Sequence, residues 1–159
     1  FFRGQIDKYS WVDVGSSYLP SELSAAFLMA QLESVNDITL SRLSIWDNYN
    51  HLLSENSEEE VRLQPRIPSD AEHNAHMYYL LLGSEQRRLE LMCKLKGSNI
   101  SSVPHYVPLH SSLAGIKYGR ISGTMKVTEL ISSRLLRLPF WVGLTLAEQE
   151  KIADIIVKC

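Results

Sequence analysis

From Glu22 onward, apolar residues return at three- and four-residue steps. Leu19, Leu23, Phe27, Met29 and Ala30 mark one stripe, and Leu40, Leu43, Trp46, Tyr49 and Leu53 mark a second. That spacing predicts helices, each with one apolar face. Asn36-Asp37 interrupts the run, so the stretch reads as two successive helices or one long bent one. Pro20 is tolerated in a first helical turn, where Ser21 and Glu22 add polar and acidic character. The residues ahead of it, Phe1 to Leu19, are aromatic and mixed without a sustained period, and read as loop.

Beyond the acidic stretch Glu55 to Glu60, a solvated loop, the pattern shortens. Val61 to Leu63 is a short strand stopped by Pro65 and Pro68. His76 to Leu82 is a dense aromatic and aliphatic run bounded by Gly83, too short for a typical helix, and predicts a buried strand. Ser84 then caps a helix with apolar positions Leu89, Met92 and Leu95, ending at Gly97. Ile100 to His105 predicts another strand, Pro108 to Gly123 is turn-rich, and Val127 to Leu135 predicts a helix. Arg137 to Phe140 is a short extended piece. Thr145-Leu146-Ala147-Glu148 fits a capping box, with Leu146, Ile152, Ile155 and Ile156 as the buried face of a last helix. The order of elements predicts an α+β or α/β fold with a small sheet.

Composition narrows the function. The chain has 159 residues, 45% of them hydrophobic, which is enough for a sizeable core without a disulfide or metal staple. Its net charge of −2 leaves no basic excess for a phosphodiester backbone, so nucleic acid is not an expected partner. No apolar run approaches the roughly 20 residues that span a bilayer, so no membrane is expected. Two cysteines, Cys93 and Cys159, make neither a disulfide framework nor a zinc site and fit a cytoplasmic setting. The chain opens Phe1-Phe2-Arg3-Gly4-Gln5 without methionine or signal-peptide pattern, so Phe1 is expected to be an internal position of a longer polypeptide.

No phosphate loop, dinucleotide fingerprint, HExxH or GxSxG motif appears. His73 and His76 have i, i+3 spacing, but the strand expected at 76–82 removes them from one helical face, so no metal site is expected. The stretch His105-Tyr106-Val107-Pro108-Leu109-His110 gathers two imidazoles and a phenol at the end of a predicted strand, where ligand contacts tend to sit. A Pro-bearing turn with ordinary polar decoration is the plain alternative. Gly15-Ser16-Ser17-Tyr18 ahead of a helix offers hydroxyls and amides to an anion, or a simple cap. Arg3 can grip phosphate in a bidentate fork, or lie at the surface.

Several of these stretches together resemble one enzyme family. Gly15-Ser16-Ser17-Tyr18-Leu19-Pro20-Ser21-Glu22-Leu23-Ser24-Ala25-Ala26-Phe27, continuing through Ala30-Gln31-Leu32, resembles the G-x-N-x-R-M-S-E-x-Q-A-A segment of the DegT/DnrJ sugar-nucleotide aminotransferases. Leu135-Leu136-Arg137-Leu138-Pro139 resembles their late L-x-R-L-P segment. Phe1 to Gln5, Asp7-Lys8-Tyr9, Trp11, Asn74-Ala75-His76-Met77 and His105 to His110 resemble one subgroup, the dTDP-4-amino-4,6-dideoxygalactose transaminases of surface-polysaccharide synthesis.

The resemblance implies an α+β fold: the C-terminal small domain and connecting helices of a fold-type-I, pyridoxal 5'-phosphate-dependent aminotransferase. Residues 1–54 would be active-site loop and connector, and residues 55–159 the small domain. It implies amino transfer from L-glutamate to dTDP-4-keto-6-deoxy-glucose by a cytoplasmic homodimer with its active site at the subunit interface. Ser17 then stands where the family has an asparagine near the cofactor phosphate. His105, Tyr106, His110 and Arg3 become candidate contacts to the nucleotide-sugar. Two departures matter. Leu19 replaces the segment's arginine, and none of the seven lysines (Lys8, Lys94, Lys96, Lys117, Lys126, Lys151, Lys158) has the context of the family's cofactor lysine. That lysine is expected upstream, so this stretch alone is expected to be inactive. The alternatives are a non-catalytic interaction domain on the same scaffold, or a family member acting on a different nucleotide-sugar.

Overall fold

The computed structural model describes residues 13–14, 20–54 and 62–159. Two helices lead: α1 is Glu22–Glu33 and α2 is Val35–Ser54. The break falls at Ser34, ahead of the Asn36-Asp37 pair expected to make it. Ser34 caps α1, its amide donating to the Gln31 carbonyl at 3.2 Å. At the other end the Ser21 hydroxyl accepts from the Ser24 amide at 3.2 Å.

The single apolar stripe expected on α1 is not what forms. At roughly 100° per residue, Leu23 and Phe27 fall on one side, Leu28 and Leu32 opposite, and Met29 between them. The helix is therefore apolar all round, the pattern of a buried helix, yet it buries none of its residues. Leu23 is 85% exposed and Phe27 70%. The second stripe holds only in its C-terminal half. Leu40 is exposed, while Ile45, Trp46, Tyr49 and Leu53 enter the core.

Four short strands form one antiparallel sheet: β1 (Arg62–Leu63), β2 (Tyr79–Leu82), β3 (Val103–Pro104) and β4 (Leu135–Arg137), in the order β1-β2-β4-β3. Leu80 opposes Leu136, and Pro104 opposes Leu136 from the other side. The expected strand 76–82 shrinks to its last four residues because the chain before it bonds to a side chain instead. Arg42 of α2 donates from Nε to the Ala75 carbonyl at 3.1 Å and from Nη2 to the His76 carbonyl at 2.5 Å. The expected strand 100–105 shrinks to two residues. Pro104 removes a ladder donor, which is tolerated because β3 is an edge.

Between strands lie α3 (Glu85–Gly97), a 3-10 turn (Leu109–Ser111), α4 (Leu113–Tyr118) and α5 (Lys126–Arg134), and α6 (Leu146–Val157) follows β4. The turn and α4 occupy the stretch read as turns alone. Beta-strand β4 follows α5 directly, so Leu135, read as helical, begins a strand. Ser84 caps α3, and the Thr145–Glu148 capping box opens α6 as expected. On α3 the inner residues are Arg88, Leu91 and Leu95 while Leu89 is exposed, and on α6 Leu146 is exposed while Gln149 and Ala153 join Ile152 and Ile156 inside.

The core joins the sheet's inner leucines, Leu80, Leu82, Leu136 and Leu138, to α2, α3 and α6. The Tyr49 and Tyr78 rings lie 5.2 Å apart, and the Tyr49 hydroxyl donates to the Pro139 carbonyl at 3.0 Å. Burial pushes the Tyr49 phenol far above its ordinary range, so it stays a donor. Gln149, fully buried, donates to the Ile45 carbonyl at 2.7 Å and accepts from Asn48 Nδ2 at 3.1 Å, pinning α6 to α2.

Truncating Leu136 to alanine removes a fully buried residue paired with both neighbouring strands, and urea unfolding is expected to show a loss of about 2–5 kcal/mol. The uncovered apolar surface of α1 predicts that the chain by itself self-associates. Sedimentation should show dimers or larger species that Phe27→Glu with Leu28→Glu reduces; a wild-type monomer at high concentration would contradict this.

Candidate functional site

The β3 strand ends at Pro104, and His105 and Tyr106 follow it on the surface, away from the core. Their rings meet edge to face with centroids 5.6 Å apart. Beneath them stands Arg137, in register with Val103 on the neighbouring strand β4. Its Nη2 donates to the Pro104 carbonyl at 3.2 Å, and its guanidinium carbon lies 5.4 Å from the centre of the Tyr106 ring. Partial burial first, and the Arg137 charge second, hold the His105 imidazole below its ordinary value of 6.5. At neutral pH this corner therefore presents an uncharged imidazole, which both donates and accepts, beside a phenol.

His110, read with them from the sequence, is placed in a different set of contacts. It sits on the 3-10 turn with its side chain only 14% exposed, and its Nε2 lies 3.2 Å from Glu129 Oε1 on α5. It lines an open groove of about 600 Å³ with Leu109, Ile116, Arg120 and Thr128. The turn is tight here. A Cβ at Gly115 would come within 1.6 Å of the Leu109 carbonyl oxygen, so only glycine fits. The Ser112 hydroxyl donates to that same carbonyl at 2.7 Å and accepts from the Gly115 amide at 3.0 Å.

Arg3 and Ser17 lie outside the described residues. The Asp13 carboxylate accepts from its neighbour's amide, Val14 N, at 2.8 Å and from the Tyr118 hydroxyl of α4 at 2.9 Å. Those two bonds, with the Lys117 charge, hold the Asp13 carboxyl below the usual range. His73 packs its ring edge-on to Trp46 with centroids 4.7 Å apart, a structural contact. Among the described residues no group of three histidine, cysteine or carboxylate side chains is placed to hold a metal. Each described lysine is exposed; Lys158 pairs with Asp154, and Lys117 lies over the Tyr118 ring. The enclosed lysine that an aldehyde cofactor needs is not among them.

Sequence reasoning missed Arg137, Glu129 and Tyr118 as members of these sites. For Arg137 a signal existed. A charge between Leu136 and Leu138 in a run of leucines is an unusual occupant for a strand.

The sequence pattern of the DegT/DnrJ/EryC1/StrS aminotransferase family matches residues 2–157. The chain belongs to that family. A DegT/DnrJ/EryC1/StrS aminotransferase from Brucella abortus superimposes with a TM-score of 0.73 at 28% identity, covering 97% of this chain and 39% of that one. DesV from S. venezuelae superimposes with a TM-score of 0.76 at 23% identity, covering 98% of this chain and 40% of that one. Among curated proteins, the uncharacterized MJ1066 of Methanocaldococcus jannaschii is 24% identical over 152 residues, 93% of this chain and 38% of its own length. The chain thus spans about two-fifths of the length of these relatives. The mixed fold with its small sheet is that of a piece of the pyridoxal phosphate-dependent aminotransferase fold. No helix among the described residues is long and apolar enough to cross a membrane.

The depressed His105 value has a sign that can be checked. A histidine that binds protons less readily when folded stabilises the fold above its unfolded pKa, and that contribution is lost as pH falls. In an NMR titration His105 is expected to protonate with a midpoint below 6.5, and Arg137→Met should move the midpoint upward. A midpoint at or above 6.5 in the unaltered chain would contradict the partly buried setting of His105 beside Arg137.

Proposed function

We propose that this chain is the C-terminal portion of a homodimeric, cytoplasmic sugar-nucleotide transaminase, with residues 1–54 as active-site loop and connector and residues 55–159 as the small domain. The reaction is transfer of the amino group of L-glutamate to the 4-keto carbon of dTDP-4-keto-6-deoxy-glucose. It yields dTDP-4-amino-4,6-dideoxygalactose and 2-oxoglutarate. The observation that carries this reading is the family match through residues 2–157, which takes in both the opening segment and the His105 corner. Pyridoxal phosphate, the family's cofactor, is bound by a lysine outside this chain, and Ser17 is the residue here that would reach its phosphate.

Within that reading, the chain's own residues bind and orient. Neutral His105 and the Tyr106 hydroxyl offer hydrogen bonds, donated and accepted, to sugar hydroxyls or phosphate oxygens. His110 is held by Glu129 and stands in the neighbouring groove, where Arg120 adds a cation. Arg3 is the further candidate in the opening segment. The uncovered α1 supports a chain whose apolar helix packs against a larger companion domain or a second subunit.

The test is an assay of the complete enzyme carrying this chain, given dTDP-4-keto-6-deoxy-glucose and L-glutamate. The expected product carries an amine at carbon 4 and appears with one equivalent of 2-oxoglutarate. Turnover only with another nucleotide-sugar would replace the substrate, and no transamination at all would overturn the reading. His105→Ala and Tyr106→Ala are each expected to raise the KM for the nucleotide-sugar roughly tenfold, with the glutamate KM and the cofactor's visible absorbance unchanged. Loss of that absorbance in a folded variant would contradict a substrate-contact role.

A further inference from the structure

Arg137 is an odd residue for the centre of a sheet. Leu136 and Leu138 on either side of it face the core, so strand alternation turns Arg137 to the opposite face. It is half-buried there, and its Nε is enclosed without a hydrogen-bond partner. Among the described residues no carboxylate forms an ion pair with it. A partly desolvated guanidinium without a counter-charge is a poor device for stability alone. What it does touch lies in one direction: the Pro104 carbonyl and the Tyr106 ring.

The chain leaving β3 needs such a support. The strand is an edge, paired with β4 at Val103 and Pro104 only, and Pro104 brings no N–H to the ladder. Past that point no strand pairing among the described residues holds the backbone of His105 and Tyr106. The Arg137 side chain supplies the missing fixture from the neighbouring strand. One nitrogen holds the last β3 carbonyl, and the flat guanidinium backs the aromatic ring that follows two residues later. A lysine would keep the charge but lose the planar backing and the fork.

We propose that Arg137 is the positioning residue of the β3 exit, fixing the geometry in which His105 and Tyr106 meet the nucleotide-sugar. This rests on the reading of those two residues as substrate contacts. Arg137 itself acts from behind the corner, through the Pro104 carbonyl and the face of Tyr106. Its charge adds to partial burial in disfavouring the imidazolium form of His105.

Two measurements test it separately from the reading on which it rests. The first is NMR of this chain, unaltered and as Arg137→Lys and Arg137→Met, with near-ultraviolet dichroism of the buried tyrosines and Trp46 confirming an intact core. Both variants are expected to shift the Tyr106 ring and His105 amide resonances, and only Arg137→Met raises the His105 titration midpoint. Unmoved Tyr106 and His105 resonances in a folded variant would overturn the positioning role. The second is steady-state kinetics of the complete enzyme. Both Arg137 variants should raise the nucleotide-sugar KM at least fivefold while kcat changes less than threefold and the glutamate KM stays put. If His105→Ala and Tyr106→Ala raise that KM but the Arg137 variants do not, the proposal falls and the substrate reading stands. If none of the four changes it, the substrate reading fails and takes the proposal with it, whatever the resonances do.

Discussion

The second half of α2 is the constraint on which the rest of the structure depends. Trp46, Tyr49 and Leu53 can be buried only against Tyr78, the inner leucines of the sheet and the face of α6. The Tyr49 hydroxyl and the Gln149 amide leave little freedom in how they dock, because each is enclosed and each needs its particular partner. Once that seam is set, the first half of the same rigid helix must leave the core, carrying α1 with it. One helix therefore has two environments. Its C-terminal half completes a core within this chain, and its N-terminal half, with α1, presents leucine, phenylalanine and methionine side chains left exposed among the described residues.

The sheet follows from the same economy of material. With strands of two to four residues, it holds together through Leu136, which is opposed by Leu80 on one side and Pro104 on the other. Such short strands release the chain quickly, and side chains take over where the ladder stops. Arg42 holds the carbonyls ahead of β2 while its guanidinium lies 4.6 Å from the centre of the Phe140 ring. Arg137 holds the carbonyl at the end of β3. These two arginines do for loop ends what further ladder pairs would do in a larger sheet. The consequence for function is that the His105 corner is surface-exposed yet held at its base.

Much of this was legible in the residues. Capping chemistry located the starts of α3 and α6 because Ser84 and Thr145 bond to amides only a few residues away. The Trp46, Tyr49 and Leu53 periodicity placed the buried part of α2. Errors arose where a distant partner decides the outcome. The run 76–82 looks like one strand, but Arg42, more than thirty positions earlier, captures the carbonyls of Ala75 and His76 at its start. On α1 periodicity failed because the apolar residues circle the helix, a pattern that speaks of burial on all sides and that the described residues do not provide. The candidate corner was visible as a cluster of ring side chains, and the His105 and Tyr106 rings do meet edge to face. His110 does not join them, because its partner Glu129 lies nineteen residues on, in a helix whose packing no local pattern reveals.

Hydrogen exchange along α1 in the assembled enzyme probes the account most directly. If this chain is the smaller part of a sugar aminotransferase, amides around Phe27 and Leu28 should exchange as slowly as those of the core helix α6, since every side of α1 would then be packed. Rapid exchange there, with α6 protected, would mean that no companion surface covers the helix and would contradict the account.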